Sequence, residues 1–320
     1  MENRHLRLET VKLVHSPNFQ LERRCKLMES KRPKILLLGN GINLLFKDQS
    51  WEDMIKAELA KSGNHLTWEQ IRSVPATMQI VLATNDKVRT QLKDIAGELE
   101  KQQFTDDRKL FLQRLIDLPM DCIMSANYSL ELERANGFKG SSASYRTRLR
   151  RTFTPEDTRD GFRLYQYYPL SRADGNITPL WHIHGDIAKP NSMIMGHYYY
   201  EKHLREIQDR VARMMRSYHG SQSAKVDYTP QSWVDWFLMG DIYILGLGLY
   251  LCEADLWWLL CCKKRHFPES RVYYYGSLED ERSLLLEAYN GECMKGITPA
   301  KEDDYLGFYQ LVMQDIQRRN

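Results

Sequence analysis

The sequence predicts an α/β fold, a parallel sheet with helices on both faces and a helical insert. Short, nearly uniform apolar runs recur at 34–38, 121–126, 177–183, 241–247 and 271–275. Continuous apolarity marks strands buried on both faces, which is the condition of a parallel sheet. Helix-period stretches separate these runs, and alternation of the two element types is the pattern of a covered parallel sheet.

Composition narrows the function classes. The chain has 320 residues, with 45 Lys plus Arg against 42 Asp plus Glu, a net charge of +3. That near-neutral balance argues against direct nucleic-acid binding. Hydrophobic residues make up 42%, enough for a core, and 18 Gly with 11 Pro exclude collagen-like or low-complexity chains. The cysteines Cys25, Cys122, Cys252, Cys261, Cys262 and Cys293 form no Cys-x-x-Cys pair. A zinc ribbon is therefore not expected. Adjacent Cys261 and Cys262 sit in an apolar stretch and read as buried free thiols. Residues 1–10 carry Glu2, Arg4, His5, Arg7 and Glu9 and no apolar run, so they do not read as a secretory signal. The most apolar stretch, 242–262, holds Glu253 and Asp255 near its middle, which argues against a spanning helix. The expected setting is a reducing cytoplasm with no membrane contact.

The elements follow in order. Residues 1–33 read as a short helix and an arm ending at Pro33, followed by a main domain over 34–290 and a tail or helix over 291–320. Ser50 reads as a helix N-cap with Asp53 beside the exposed backbone amides, and Trp51, Met54, Ile55 and Leu59 form one helix face. Residues 68–118 read as helical throughout and form the insert, with Met78, Val81, Val88, Leu92, Ile95 and Leu99 at helical spacings and a polar break at 105–108. The basic stretch 136–163, which includes Arg159 and Arg163, reads as a solvated loop or basic strand in preference to a binding patch. A short strand is expected at 192–195, ended by Gly196. Helices are expected at 198–218, 254–264 and 279–289.

In such sheets ligands bind beyond the carboxyl ends of the strands. Four strand ends therefore matter: Gly39-Asn40-Gly41-Ile42-Asn43, Ser125-Ala126-Asn127, His182-Ile183-His184-Gly185 and Gly246-Leu247-Gly248. The first and last are glycine turns whose backbone amides can approach phosphate, and two such turns in one sheet can hold both ends of a dinucleotide. Asn127 can orient a ribose hydroxyl or a water, and His184 can take a proton near neutral pH. His182 and His184 share a side if the strand persists, so a metal site with Asp186 is an alternative, poor for want of further ligands.

These motifs, in this order, resemble the sirtuin-like family, and its bacterial NAD-cleaving branch more than the protein deacetylases. The resemblance spans about residues 34–290. Gly39-Asn40-Gly41-Ile42-Asn43 stands where sirtuins have Gly-Ala-Gly-x-Ser, Met124-Ser125-Ala126-Asn127 where they have Thr-Gln-Asn, and His184-Gly185 where they have His-Gly. Gly246-Leu247-Gly248-Leu249 with Glu253 to Trp258 looks like the late nucleotide-binding strand of the antiphage members.

The resemblance implies a Rossmann-like domain that binds NAD+ as substrate, with no other cofactor and no metal. Asn127 and His184 are implied as catalytic, and Gly39, Asn40, Gly41, Asn43, Ser125, Gly185, Gly246 and Gly248 as the NAD+ contacts. It also implies an NAD+ glycohydrolase that depletes NAD+ as a toxic antiphage effector. Such an effector would be a homo-oligomer or work with a partner such as a HerA-type ATPase. The arm and the Tyr198–Tyr199–Tyr200 cluster are candidate contacts, the tyrosines reading first as ordinary packing. Three features depart from the family. The four-cysteine zinc module is missing, 43–49 lacks the Gly-Ile-Pro-Asp-Phe-Arg loop, and Ser129 stands where an acidic residue is usual. The first two weigh against the alternative of a deacylase or ADP-ribosyltransferase. Ser129 favours the other alternative, a non-catalytic NAD+ or ADP-ribose sensor.

Overall fold

The computed structural model describes residues 32–46, 49–101, 103–152, 163–224, 226–297 and 304–319. The expected arm, apart from Arg32 and Pro33, lies outside the described residues, as do Cys25 and Arg159.

The strands are β1 Lys34–Leu38, β2 Cys122–Ser125, β3 Arg150–Arg151, β4 Gln166–Ser171, β5 Ile177–His182, β6 Asp241–Leu245, β7 Val272–Tyr275 and β8 Gly291–Cys293. They form one open sheet in the order β3-β4-β5-β2-β1-β6-β7-β8. From β5 to β8 every pairing is parallel. The sheet is not wholly parallel, however. β4 runs antiparallel to β5, and β3 antiparallel to β4. The cause is a tight hairpin at Asp174-Gly175, where Arg172 N–H donates to the Asn176 carbonyl at 2.9 Å and Gly175 sits at φ +80°. Pro169 inside β4 masks the strand in the sequence, since proline argues against a strand interior.

The helices in chain order are α1 Gly41–Leu44, α2 Trp51–Ser62, α3 Trp68–Ile71, α4 Ala76–Ala83, α5 Val88–Glu100, α6 Asp106–Ile116, α7 Glu131–Ala135 and α8 Ser142–Arg148. They continue as α9 His197–Ala224, α10 Trp233–Met239, α11 Ala254–His266, α12 Asp280–Ala288 and α13 Tyr305–Arg319. Helix α2 starts as its sequence implies. Ser50 Oγ accepts from Asp53 N–H at 3.1 Å while the Asp53 carboxylate accepts from Ser50 N–H at 3.1 Å.

Alternation along β1 divides the core. Leu36 and Leu38 pack on one face with Ile80, Leu92, Ile95, Phe111, Leu112 and Leu115 of the segment 68–118, and with Val312 and Ile316 of α13. Ile35 and Leu37 pack on the other face with residues of α9, α10 and α11. The expected insert is not helical throughout but is broken into helices α3 to α6, and it covers this face together with α2, α7 and α13. Each leucine or isoleucine sealed there contributes about 1.5–3 kcal/mol. The segment 291–320 likewise supplies β8 and α13.

Two further expectations fail. Residues 192–195 form no strand. A 3-10 turn at Pro190–Ser192 leads into a segment whose Ile194 N–H donates to the His184 carbonyl at 2.9 Å. Cys261 is exposed and Cys262 half-buried. Helical spacing turns Leu256, Leu259, Leu260 and Lys263 of α11 inward and leaves the cysteines on the outer side. Buried Lys263 caps the end of α10 by donating to the carbonyls of Phe237, Leu238 and Gly240. Among the described residues, no helix is long and apolar enough to cross a membrane.

Candidate active site

Register brings all four motifs to one edge. Leu38 pairs with Ser125 on one side and with Leu245 on the other, and Ser125 pairs with His182. The ends of β5, β2, β1 and β6 therefore stand in a row. The chain leaves β1 toward β2 and leaves β6 toward β7, so the topological switch falls between β1 and β6.

At that switch the glycines pack against one another. Gly39 N–H donates to the Leu245 carbonyl at 2.9 Å and Gly41 N–H to the Gly246 carbonyl at 2.8 Å. A Cβ on Gly39 would meet the Gly246 oxygen and Leu247 Cα, both at 2.4 Å. Gly246 has φ +64°, and the Tyr309 hydroxyl lies 3.0 Å from where its Cβ would be. As folded, these two amides serve the crossing of two loops and are not directed at a phosphate. Gly248 follows, its carbonyl accepting from Arg282. Asn40 is exposed, and its Oδ1 accepts from Asn43 Nδ2 at 3.2 Å. Asn43 is buried, and its Oδ1 accepts from Arg108 Nη2 of α6 at 3.3 Å. Arg108 also lies 3.4 Å from Glu131 of α7, so one buried cation joins the first loop to the segment after β2.

Asn127 is 8% exposed and bridges strand ends. Its Nδ2 donates to the Gly39 carbonyl at 3.2 Å, and its backbone N–H donates to Ser125 Oγ at 3.1 Å. His184 stands in the turn after β5. Gly185 makes that turn at φ +84°, and a Cβ there would lie 2.0 Å from the Ser192 carbonyl oxygen.

The two histidines diverge, as do their acids. His182 bonds Glu133 of α7 through Nε2 at 2.8 Å and the Asn127 carbonyl through Nδ1 at 2.8 Å. Tyr145 also donates to Glu133 at 2.9 Å. Burial opposes the His182 imidazolium, but the charge and hydrogen bond of Glu133 outweigh it and raise the pKa to about 9. His182 is thus a proton-carrying clamp on the backbone of Asn127. His184 bonds Asp255 Oδ2 through Nε2 at 2.9 Å, and both side chains are buried. Asp186 pairs with Arg163. His182, His184 and Asp186 therefore point to three different partners and do not form a ligand set. Among the described residues, no group of three or more His, Cys, Asp or Glu could hold a metal. Arg163 is buried in its ion pair, which removes it from the basic surface, whereas Arg150 and Arg151 are exposed.

Around His184 stand the Tyr200 ring at 5.4 Å and the His203 ring at 6.1 Å, both from α9. Burial pushes His203 down to about 3, so it is neutral. Burial pushes Glu253, half-buried ahead of α11, up to about 7. For Asp255 burial acts upward, but the neighbouring His184 charge and hydrogen bond outweigh it and lower the pKa. Sequence reasoning missed Glu133, Asp255 and Arg108 as site residues. Asp255 did leave a signal, since an acid inside an apolar stretch must find a partner.

The sequence matches no protein-family model and no curated protein.

Proposed function

We propose that the chain is an NAD+ glycohydrolase with a sirtuin-like site, releasing nicotinamide and ADP-ribose. The observation that carries this reading is the pairing of Asn127 and a carboxylate-backed His184 at the ends of adjacent parallel strands. Nicotinamide leaves as a neutral molecule from a cationic substrate. The bond from the ribose anomeric carbon to the ring nitrogen breaks, its electron pair goes to that nitrogen, and no acid is needed. Water then adds to the anomeric carbon and gives up a proton. Asn127 orients the ribose or the water, and His184 accepts the proton. The strand-end loops from Gly39 to Asn43 and from Gly246 to Gly248 frame the dinucleotide. A role as a toxic antiphage effector, regulated by self-assembly or a partner ATPase, rests on the resemblance of the motifs alone.

The test is to incubate the purified protein with NAD+ and follow free nicotinamide and ADP-ribose. Release by the wild type, lost in Asn127→Ala and in His184→Ala, is the expected result. Full activity in either variant removes that residue from its role. A sensor of NAD+ or ADP-ribose is the competing reading. Its support is the burial of both side chains, with His184 only 2% exposed, together with Ser129. Binding of NAD+ without release under any condition would favour it.

A further inference from the structure

We propose that Asp255 is the positioning residue of His184. It fixes the Nε2–H tautomer, so that Nδ1 is the nitrogen that accepts a proton from substrate or water. The inference rests on the glycohydrolase reading for its catalytic meaning, but its geometry stands independently.

Asp255 Oδ2 lies 2.9 Å from His184 Nε2, and the Asp255 side chain is 0% exposed. An ionised carboxylate can only accept, so the shared proton belongs to the imidazole. In the neutral ring this leaves Nδ1 as the lone-pair nitrogen. Among the described residues, Nδ1 of His184 makes no hydrogen bond. Asp255 is in the first turn of α11, where helix amides favour negative charge. Ring contacts from Tyr200 and His203 flank the imidazole, and its own carbonyl is held by Ile194 N–H. The ring is therefore fixed from three elements before any ligand arrives.

The remaining ionisable groups near the ring sharpen the assignment. Glu253 precedes α11, His203 and Tyr200 project from α9, and Tyr128 follows β2. Burial keeps His203 and both tyrosines neutral at pH 7, and Glu253 titrates near 7. Asp255 is the carboxylate of this group held below its ordinary range. For His184 burial acts downward, but Asp255 outweighs it and raises the pKa above 6.5. The base is silent while the ring is protonated, so the rate climbs as pH rises through this raised value.

The experiment has two arms. In the first, ring 15N shifts of His184 are read in the wild type above its pKa, with His184→Gln used for assignment. The expected pattern is a protonated Nε2 and an unprotonated Nδ1. A protonated Nδ1 overturns the proposal, and this arm needs no variant of Asp255 to fold. In the second, Asp255→Asn is compared with the wild type in NAD+ cleavage against pH. The acid limb should move to lower pH, with kcat lower by about 10²-fold and KM changed far less. Asp255→Glu should restore part of the rate. An unchanged acid limb and rate in Asp255→Asn would overturn the proposal. If the wild type cleaves no NAD+ at any pH, the glycohydrolase reading fails, and the 15N pattern alone decides the tautomer.

Discussion

His182 and His184 stand two residues apart, and each touches a buried carboxylate, at 2.8 Å and 2.9 Å. Their second nitrogens separate them. Nδ1 of His182 is spent on the Asn127 carbonyl, so this ring is bonded at both ends and carries its proton to about pH 9. Nδ1 of His184 has no hydrogen-bond partner among the described residues, and its ring sits beyond the strand on a glycine turn. A carboxylate partner therefore does not by itself mark a catalytic histidine. What distinguishes a clamp from a base is whether the other nitrogen is left for chemistry.

The comparison breaks most visibly at Glu133. Glu133→Ala leaves a buried imidazolium and the Tyr145 hydroxyl without their acceptor. The expected cost is about 3–5 kcal/mol in urea unfolding. Asp255→Asn should cost much less stability and much more activity. If the two variants behave alike, the distinction between clamp and base fails.

A smaller effect comes from pH. The His182 pKa is raised by folding, so its stabilisation is complete below about pH 6.5 and is lost as pH climbs through about 9. Lys263, lowered to about 7 by burial, acts in the opposite sense over the same range, so the readout is the difference between the wild type and Glu133→Gln. That difference in unfolding free energy should shrink by about 3 kcal/mol across the window. A difference that does not change with pH would show that His182 is not the charged member.

At the loop crossing, Gly39→Ala forces a Cβ onto the backbone of Gly246 and Leu247 and should cost on the order of 1–3 kcal/mol. It should also impair NAD+ binding, because the two strand-end loops cross in direct contact at Gly39. Thermal unfolding and an NAD+ titration check both. The smallest change is Tyr145→Phe, which removes one hydrogen bond from Glu133 while His182 keeps its own. Its cost should be about 1 kcal/mol, with activity retained.

The strands were readable because burial on both faces leaves an unbroken apolar run, and their ends were readable because loop crossings demand glycine. Asn127 and His184 stood out for the same reason, as polar residues closing such runs. The partners were not readable. Glu133 is a charged residue in a charged helix, which on sequence alone is the look of a solvated face. Asp255, although its apolar surroundings demand a partner, does not say which one. Only the sheet register brings Glu133 to His182 and Asp255 to His184, across 49 and 71 positions of the chain. Helix α10 was missed for a different reason. Trp233 to Leu238 are all buried, so no polar face gives the run a helical period. Strand β4 was hidden by Pro169.

The Tyr309 hydroxyl of α13 rests against Gly41 and Gly246, within 3.1 Å of where their side chains would begin. In kinetic terms this corner joins distant parts of the chain, so closing it carries a large loop-closure entropy and comes late in folding. A nascent chain orders its earlier portions first. Until residue 309 has emerged, the crossing beside the candidate site is held by its own backbone hydrogen bonds and lacks the tyrosine that rests on it. The finished shape of that corner therefore waits for α13 to fold back onto it.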